Sequence, residues 1–504
     1  MVNTTAAVIS LQSQVDDLQT QVNDLNTYAD EISGGADEMW HLIAGTLVFF
    51  MQAGFAMLEA GSVRSKNAVN ILFKNLIDGA ISAIVFWTLG YGFAYGETAN
   101  GFVGTSKFGL ASNDFDLGNG SSKLDFHTFF FQWTFAATAA TIVSGCVAER
   151  CKLEAYFLYS FFIILWIYPV IVHWCWGDGW LSPFADQTNE YLFYGKSSNS
   201  FIDFAGSGVV HTVGGVAGLI AAFVLGPRKG RFVNGEVVPM PGHSIPIVVL
   251  GTIILWVGWY GFNAGSTLCI TGDCSKLASK VAVVTTIAAA FGALTMVACQ
   301  LLILKTFDLP LVCNALLAGL VAVTGPCAVI EPWAAMIIGI SGCLVYMGCS
   351  KLLLLLQIDD PLEASAIHGG CGIWGVLAVG IFGNDDNAAF AGYQGSANGN
   401  HPFRTGEQFG VQLVGILMIL VWTIFWSLLL FYGIDFTIGM RVSEEIEDEG
   451  LDSSEHGSKA YAIHENEVDK AKKEEARDSE GVELTPQDNN NDNYQVVAET
   501  PEEI

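Results

Sequence analysis

Two stretches of the sequence set an acid and an imidazole at the same interval beside apolar runs. In "DFAGSGVVHTVGG" Asp203 precedes His211 by eight residues, and in "DDPLEASAIHGGCGIWG" Asp360 precedes His368 by the same eight. Each histidine is followed closely by a glycine pair, Gly214–Gly215 or Gly369–Gly370. Ionisable groups inside apolar segments are costly and usually line a pathway. Imidazole suits proton handling there, because small shifts carry its pKa across neutral pH. A carboxylate near the start of such a segment can accept backbone N–H groups and complement the helix dipole. We therefore read Asp203 and Asp360 as structural supports, and His211 and His368 as the working pair.

Zinc or iron is the rival chemistry for two histidines and two carboxylates. On a helix the eight-residue interval puts Asp and His roughly 12 Å apart along the axis. That is too far for one compact site, so neither metal nor cofactor is expected. A G-x-S-x-G elbow is absent, and no cysteine stands in an activating setting, so the chain does not read as an enzyme. Cys146, Cys299, Cys343 and Cys371 lie in apolar runs, where cysteine behaves as a small hydrophobe. Cys269 and Cys274 share one short loop, and their spacing leaves a disulfide open.

The elements that must hold these residues are membrane spans. Of 504 residues 52% are hydrophobic and only 14% charged, where a soluble chain carries about a quarter. Apolar runs of about twenty residues recur along most of the chain, each long enough to cross a bilayer. The 55 glycines suit helices that pack closely in lipid. The pattern predicts an all-α polytopic membrane protein with eleven transmembrane helices near 40–62, 75–95, 126–147, 154–176, 204–226, 244–264, 278–304, 311–329, 334–350, 364–383 and 409–440, the ninth of them short. One set of loops carries Arg64, Lys66, Lys74, Arg150, Lys152, Arg228, Lys229 and Arg231; the other is acidic, with Asp114, Asp116, Asp178, Asp186, Asp385 and Asp386. The positive-inside rule then places the N-terminus outside and the C-terminus inside. The net charge of −28 resides mostly in the polar ends, which argues against nucleic acid as a partner.

The matched Asp–His stretches fall five spans apart, in helices that enter from opposite sides. This is the mark of a five-plus-five inverted repeat. A weaker echo links "FMQAG" (50–54) in the first span with "GFNAGS" (261–266) in the sixth. A pseudo-two-fold axis in the membrane plane would bring His211 and His368 together near the midplane, where transporters hold substrate. Aromatic clusters at 129–136, 173–180 and 256–266 lie near span ends. They fit an interfacial belt and equally a cation-attracting vestibule.

Before the first span, Val8, Leu11, Val15, Leu18, Val22, Leu25, Ala29 and Ile32 keep a heptad spacing. A lone amphipathic helix and a short coiled coil between subunits both fit it. Valine with leucine favours two strands in a free peptide, though a membrane oligomer could impose another number. The sequons at Asn3 and Asn119 fall on the outer side, where they could be glycosylated.

"DFAGSGVVHTVGGVAGL", "GWYGFNAGS", "DDPLEASAIHGGCGIWG" and "FAMLEAGSVRSKN" together closely resemble the ammonium transporter family, Amt/Mep/Rh, and within it the plant and algal branch. The resemblance runs from about Trp40 to Tyr461. It implies the ammonium transporter fold, with a homotrimer in the plasma membrane and one pore per subunit. By motif position Trp176, Ser266, Phe135 and Phe262 would form the outer ammonium site and stacked phenylalanine gate. His211 and His368 would be the paired pore imidazoles, Asp203 the buried support, and Glu363 the acid at the inner mouth. "GLDSSEHGSKAY" resembles a regulatory C-terminal motif. Plant members often have a phosphorylatable threonine where this chain has Ser454, so Ser453 and Ser454 become candidate sites for a cytoplasmic kinase or regulatory protein. Plant members often carry N-terminal cysteines thought to link subunits; here none precedes Cys146, and the heptad would take their place. The expected organisation is an extracellular segment over 1–39, the transporter domain over 40–440, a cytoplasmic regulatory region over 441–464 and an acidic disordered tail over 465–504.

The physics of selection agrees with that family. Ammonium and potassium are of similar size, so a sieve separates them poorly. A bare cation is strongly disfavoured in a dry apolar pore. Ammonium can shed a proton and cross as ammonia, whereas potassium cannot. The expected function is electrogenic uptake by split transfer of ammonia and a proton. The alternatives are a neutral ammonia channel and an ammonium sensor that signals through the C-terminal tail.

Overall fold

The computed structural model describes residues 2–116, 125–185, 192–193, 200–393 and 402–461. Asn119 and the acidic tail over 465–504 lie outside the described residues, as does the side chain of Asn3. The chain is built almost wholly of helices. The spans are α1 (Val2–Ser62), α2 (Ser65–Tyr95), α3 (Phe126–Val147), α4 (Leu153–Cys175), α5 (Ser207–Leu225), α6 (Ile245–Thr267), α7 (Asp273–Ile303), α8 (Leu309–Thr324), α9 (Pro332–Leu355), α10 (Ser365–Phe382) and α11 (Glu407–Thr437). Ten are long and apolar enough to cross a membrane, and α8, at 16 residues, is a shorter apolar helix. Two short helices follow, α12 (Glu444–Glu449) and α13 (Leu451–His456).

One expectation needs correction. The short span is α8, not α9. Helix α8 stops at Thr324, where Gly325 and Pro326 follow; Pro326 has no N–H with which to continue the helical ladder. Helix α9 instead runs 24 residues to Leu355, past Ser350 and Lys351. The Lys351 side chain is exposed and need not end the helix, since its stem can cover apolar surface while the ammonium reaches water. One helix of 61 residues carries both the heptad positions and the first span.

Polar side chains buried between spans satisfy one another. Glu59 of α1 accepts from Asn75 Nδ2 (2.8 Å) of α2 and Ser144 Oγ (2.5 Å) of α3. Asp78 of α2 accepts from Ser160 Oγ (2.6 Å) and the Tyr156 hydroxyl of α4. In lipid such ties hold helices together, because the alternative is an unsatisfied polar group in hydrocarbon.

The basic loops gather at one end of the bundle. Glu149 bonds Arg64 and takes Arg228 Nη1 at 3.1 Å, and Asp359 takes Arg228 Nε at 2.8 Å and Arg231 Nε at 3.3 Å. Arg150 Nη2 donates to the Asp359 carbonyl at 2.7 Å. Burial opposes ionisation of Asp359, but the Arg228 fork and the charge of Arg150 hold its carboxyl well below the usual range. The C-terminal helices dock at this same end. Asp452 accepts from the backbone N–H groups of Val69 (3.0 Å) and Asn70 (2.9 Å), in the first turns of α2. Lys66 Nζ donates to the carbonyls of Glu447 and Asp448, each at 2.7 Å. The polar stretch after Arg441 thus folds against the loops that follow α1 and α5.

Candidate functional site

The two Asp–His stretches adopt one local design. Helices α5 and α10 each open with a wide π-type turn, Ser207–Thr212 and Ser365–Gly370, and each turn contains the histidine. Such turns are costly and concentrate at functional sites. Each aspartate precedes its turn and accepts the free N–H groups of the helix start. Asp203 takes Gly206 (3.2 Å), Gly208 (2.8 Å) and Val209 (2.8 Å); Asp360 takes Ala364 (3.2 Å), Ser365 N (2.7 Å) and Ser365 Oγ (2.5 Å). Neither carboxylate is aimed at a histidine.

The helices then cross where glycine permits. A Cβ on Gly215 would run into the backbone of Gly369. This close approach sets the imidazoles face to face, with ring centroids 5.1 Å apart, an interplanar angle of 26° and Nδ1 to Nδ1 at 3.2 Å. Both rings are buried. At that distance one Nδ1 donates and the other accepts, so the pair shares a proton. The Nε2 of His211 has no hydrogen-bond partner among the described residues.

Aromatic rings continue the column from His211. Phe262 stacks on His211 (5.3 Å, 23°), Phe135 stacks on Phe262 (4.2 Å, 28°), and Trp176 meets Phe135 edge-on (6.0 Å, 82°). Beyond the phenylalanine pair lies an outer cavity of about 470 Å³, lined by Phe135, Trp176, Asp203 and Ser266 among others. The Ser266 hydroxyl donates to the Phe262 carbonyl at 2.7 Å, which leaves its lone pairs for another partner. Trp176 Nε1 donates to the Asp203 carbonyl at 2.8 Å, so the aspartate segment also fixes the indole.

At the basic end a second cavity of about 770 Å³ includes Glu363, Asn314, Ser350 and Arg231 in its wall. Glu363 accepts from Asn314 Nδ2 at 3.0 Å and from the hydroxyls of Tyr346 and Ser350. The structure therefore links Trp176, Phe135, Phe262, His211 and His368 through successive ring contacts, with Ser266 bonded to Phe262, and it places Glu363 in the wall of the cavity at the basic end. Ser453 and Ser454 are remote from it, on α13; Ser454 is exposed and its hydroxyl donates to the Gly450 carbonyl at 3.1 Å.

Sequence reasoning missed two members. Trp259 lies beside Phe262 (5.8 Å) and packs on His211 at 5.1 Å and 21°, and its Nε1 donates to Thr324 Oγ1 at 2.9 Å. Phe55 reaches His368 at 6.1 Å. A signal for Trp259 was present in "GWYGFNAGS", three residues before Phe262 and so on the same helical face. Cys269 and Cys274, left open above, form a disulfide beside the outer cavity.

The profile described as Ammonium Transporter Family matches residues 39–461. The chain is 43% identical to Ammonium transporter 1 member 1 of Arabidopsis thaliana over 418 residues, 80% of this chain and 81% of that one. It is 40% identical to Ammonium transporter Amt2 of Archaeoglobus fulgidus, over 84% of this chain and 87% of the relative. Among solved structures, one titled Sensor Amt Protein superposes with a TM-score of 0.75 at 33% identity, covering 84% of this chain and 99% of that one. Saccharomyces cerevisiae Mep2 superposes at 0.69 and 29% identity, covering 81% and 88%. With a buried imidazole pair behind a stacked phenylalanine gate, and with these relatives, the chain belongs to the ammonium transporter family.

Proposed function

We propose that this protein takes up ammonium electrogenically, admitting the ion to the outer cavity and passing ammonia and its proton separately along the histidine pair. The carrying observation is the contact of His211 Nδ1 with His368 Nδ1 at 3.2 Å behind closed aromatic rings. Trp176, Phe135 and Phe262 present π faces that attract a cation, and Ser266 offers an acceptor as the ion sheds water. The phenylalanine pair leaves no wet path for an ion, and a dry one is strongly disfavoured. Ammonia can cross with a lone pair for an imidazole N–H. The unpartnered His211 Nε2 is a second place for a proton or for ammonia.

In this reading the chain is a plasma-membrane homotrimer of eleven-span protomers with the N-terminus outside. The gathering of Arg64, Arg150, Arg228 and Arg441 beside the C-terminal helices supports a cytoplasmic C-terminus. Asn3 and Asn119 are then candidate glycosylation sites, and Ser453 and Ser454 are reachable by a cytoplasmic kinase. The test is current against ammonium concentration in a voltage-clamped cell, with potassium as control. A saturable ammonium-selective inward current is expected. Surface-expressed protein that carries ammonia without current would make it a neutral channel.

One observation favours a second reading. The similarity to a protein titled Sensor Amt Protein extends over 99% of that chain. A sensor would lack flux at intact surface level and would bind a partner at its C-terminal tail only when ammonium changes.

A further inference from the structure

The first helix carries an apolar seam that the protomer leaves bare. Val8, Val15, Val22 and Ala29 alternate with Leu11, Leu18, Leu25 and Ile32 along α1. Their side chains face solvent, and the valines, leucines and isoleucine are between 48% and 66% exposed. In the same register the exposed stripe runs on through Met39 and Ile43 onto the membrane-facing side of α1. From Val8 to Ile32 the seam measures about 37 Å at 1.5 Å per residue.

The seam is held upright. Asp37 accepts from the backbone N–H groups of Ile270 (2.7 Å) and Thr271 (3.0 Å), and Ser33 Oγ donates to Thr271 Oγ1 at 2.9 Å. Trp40 Nε1 donates to Thr267 Oγ1 at 3.2 Å. Because α1 is one helix, the seam continues the axis of the first span away from the bilayer. It cannot lie flat on a lipid surface. It also lacks the Lys and Arg that draw a helix to anionic lipid, for neither type occurs before Arg64.

The charges identify the occupant. With the valines at one seam position and the leucines at the other, the flanking positions are Gln12, Gln19, Asn26 and Ser33 on one side and Gln14, Gln21, Tyr28 and Gly35 on the other. None is charged. Asp16, Asp17, Asp24, Asp30 and Glu31 all fall on the outer positions, away from the seam. A basic partner would call for acids beside the seam. Identical acidic helices require the opposite, since every copy brings the same charge. Gly34 and Gly35 add a second sign. A Cβ at either would meet nothing within 4 Å, so packing in the protomer does not require them, and each costs about 1 kcal/mol in a helix interior. They stand where a supercoiled seam, which drifts by about 20° per heptad from a straight helix, must join a span packed against α6.

We propose that copies of this chain join residues 8–32 of α1 as a parallel coiled coil that stands off the membrane. The helices are parallel because all copies enter the bilayer the same way round. The inference deepens the homotrimer reading, and its test separates the two.

The test uses the full chain in native membranes, with single cysteines treated with a short bis-maleimide. Leu18→Cys and Leu25→Cys are expected to convert most of the monomer band into covalent oligomers of this chain alone. Asp17→Cys and Asp24→Cys, one residue away on the outer face, are expected to stay monomeric like the parent. Equal linking from both sets, no linking from either, or linking to another protein would overturn the coiled coil. The native mass of the purified chain is measured in parallel. An intact trimer without seam-selective linking removes the coiled coil and leaves the trimer, whereas a monomer removes both.

Discussion

His211 and His368 face each other through their Nδ1 atoms at 3.2 Å, with Phe262 and Trp259 packed on the His211 ring. One of the two Nδ1 atoms must carry a proton and the other must accept it. The proposed relay rests on this shared proton between two helices. Replacing His211 by alanine removes one partner of the pair and keeps Phe262, Phe135 and the residues that line the outer cavity. We expect His211→Ala to lower ammonium current by roughly 10², the scale of positioned proton transfer, while ammonia permeation persists. Current and ammonia flux measured on the same reconstituted protein decide it. Full current in the variant would end the relay role.

The outer aromatic site predicts a different kinetic signature. Trp176 lines the cavity and is held by the Asp203 carbonyl. A cation over such a face gains about 0.5–2 kcal/mol. Trp176→Leu is therefore expected to raise the half-saturating ammonium concentration about 2- to 30-fold. The concentration dependence of current is the measurement. An unchanged half-saturation would place recruitment elsewhere.

Asp359 joins three arginines at the basic end, and its carboxylate is buried. Its acidity is enhanced in the folded chain, so its contribution is complete above the unfolded pKa, about 3.9, and is lost as pH falls below it. Asp359→Asn leaves Glu149 as the remaining carboxylate on Arg228, and breaking a buried pair costs up to roughly 3–5 kcal/mol. The expected result in detergent is a lower Tm at neutral pH, and a shallower fall of Tm between about pH 5 and pH 3 than in the parent. A variant whose melting tracks the parent over that range would show that the knot adds nothing to stability.

Much of the site could be read from spacing. The repeated eight-residue interval predicted paired helices, and both aspartates accept helix-start N–H groups while both histidines meet. Periodicity was informative where one face differs from the other, as in the heptad of α1. Inside spans that are apolar all round it says less: the spacing of Trp259 from Phe262 marks a shared helical face but does not name His211 as the ring they meet. Long-range polar ties were equally hidden: Glu363 meets Asn314 across 49 residues, and Asp452 meets Asn70 across 382. Span ends are the less legible part: α8 ends at Thr324 rather than 329, and α9 runs to Leu355 rather than 350.

Asp452 caps the start of α2 and is one of several contacts that couple the C-terminal helices to this span. Around it, Leu451 N donates to Asn67 Oδ1 at 3.0 Å, and His456 lies 5.0 Å from the Phe73 ring. A capping carboxylate contributes about 1 kcal/mol, enough to shift a docked segment several-fold toward release. Ser454 sits on the exposed side of the same short helix, next to Asp452 and Glu455. A negative charge there adds repulsion without offering a new partner. Asp452→Ala and Ser454→Asp are therefore both expected to expose the segment after Arg441 to limited proteolysis and to reduce uptake at equal surface level. Asp452→Asn, which keeps an acceptor oxygen, should fall between Asp452→Ala and the parent. If proteolysis rises without any loss of uptake, docking is structural only and the tail does not govern transport. If neither changes, the cap does not hold the tail.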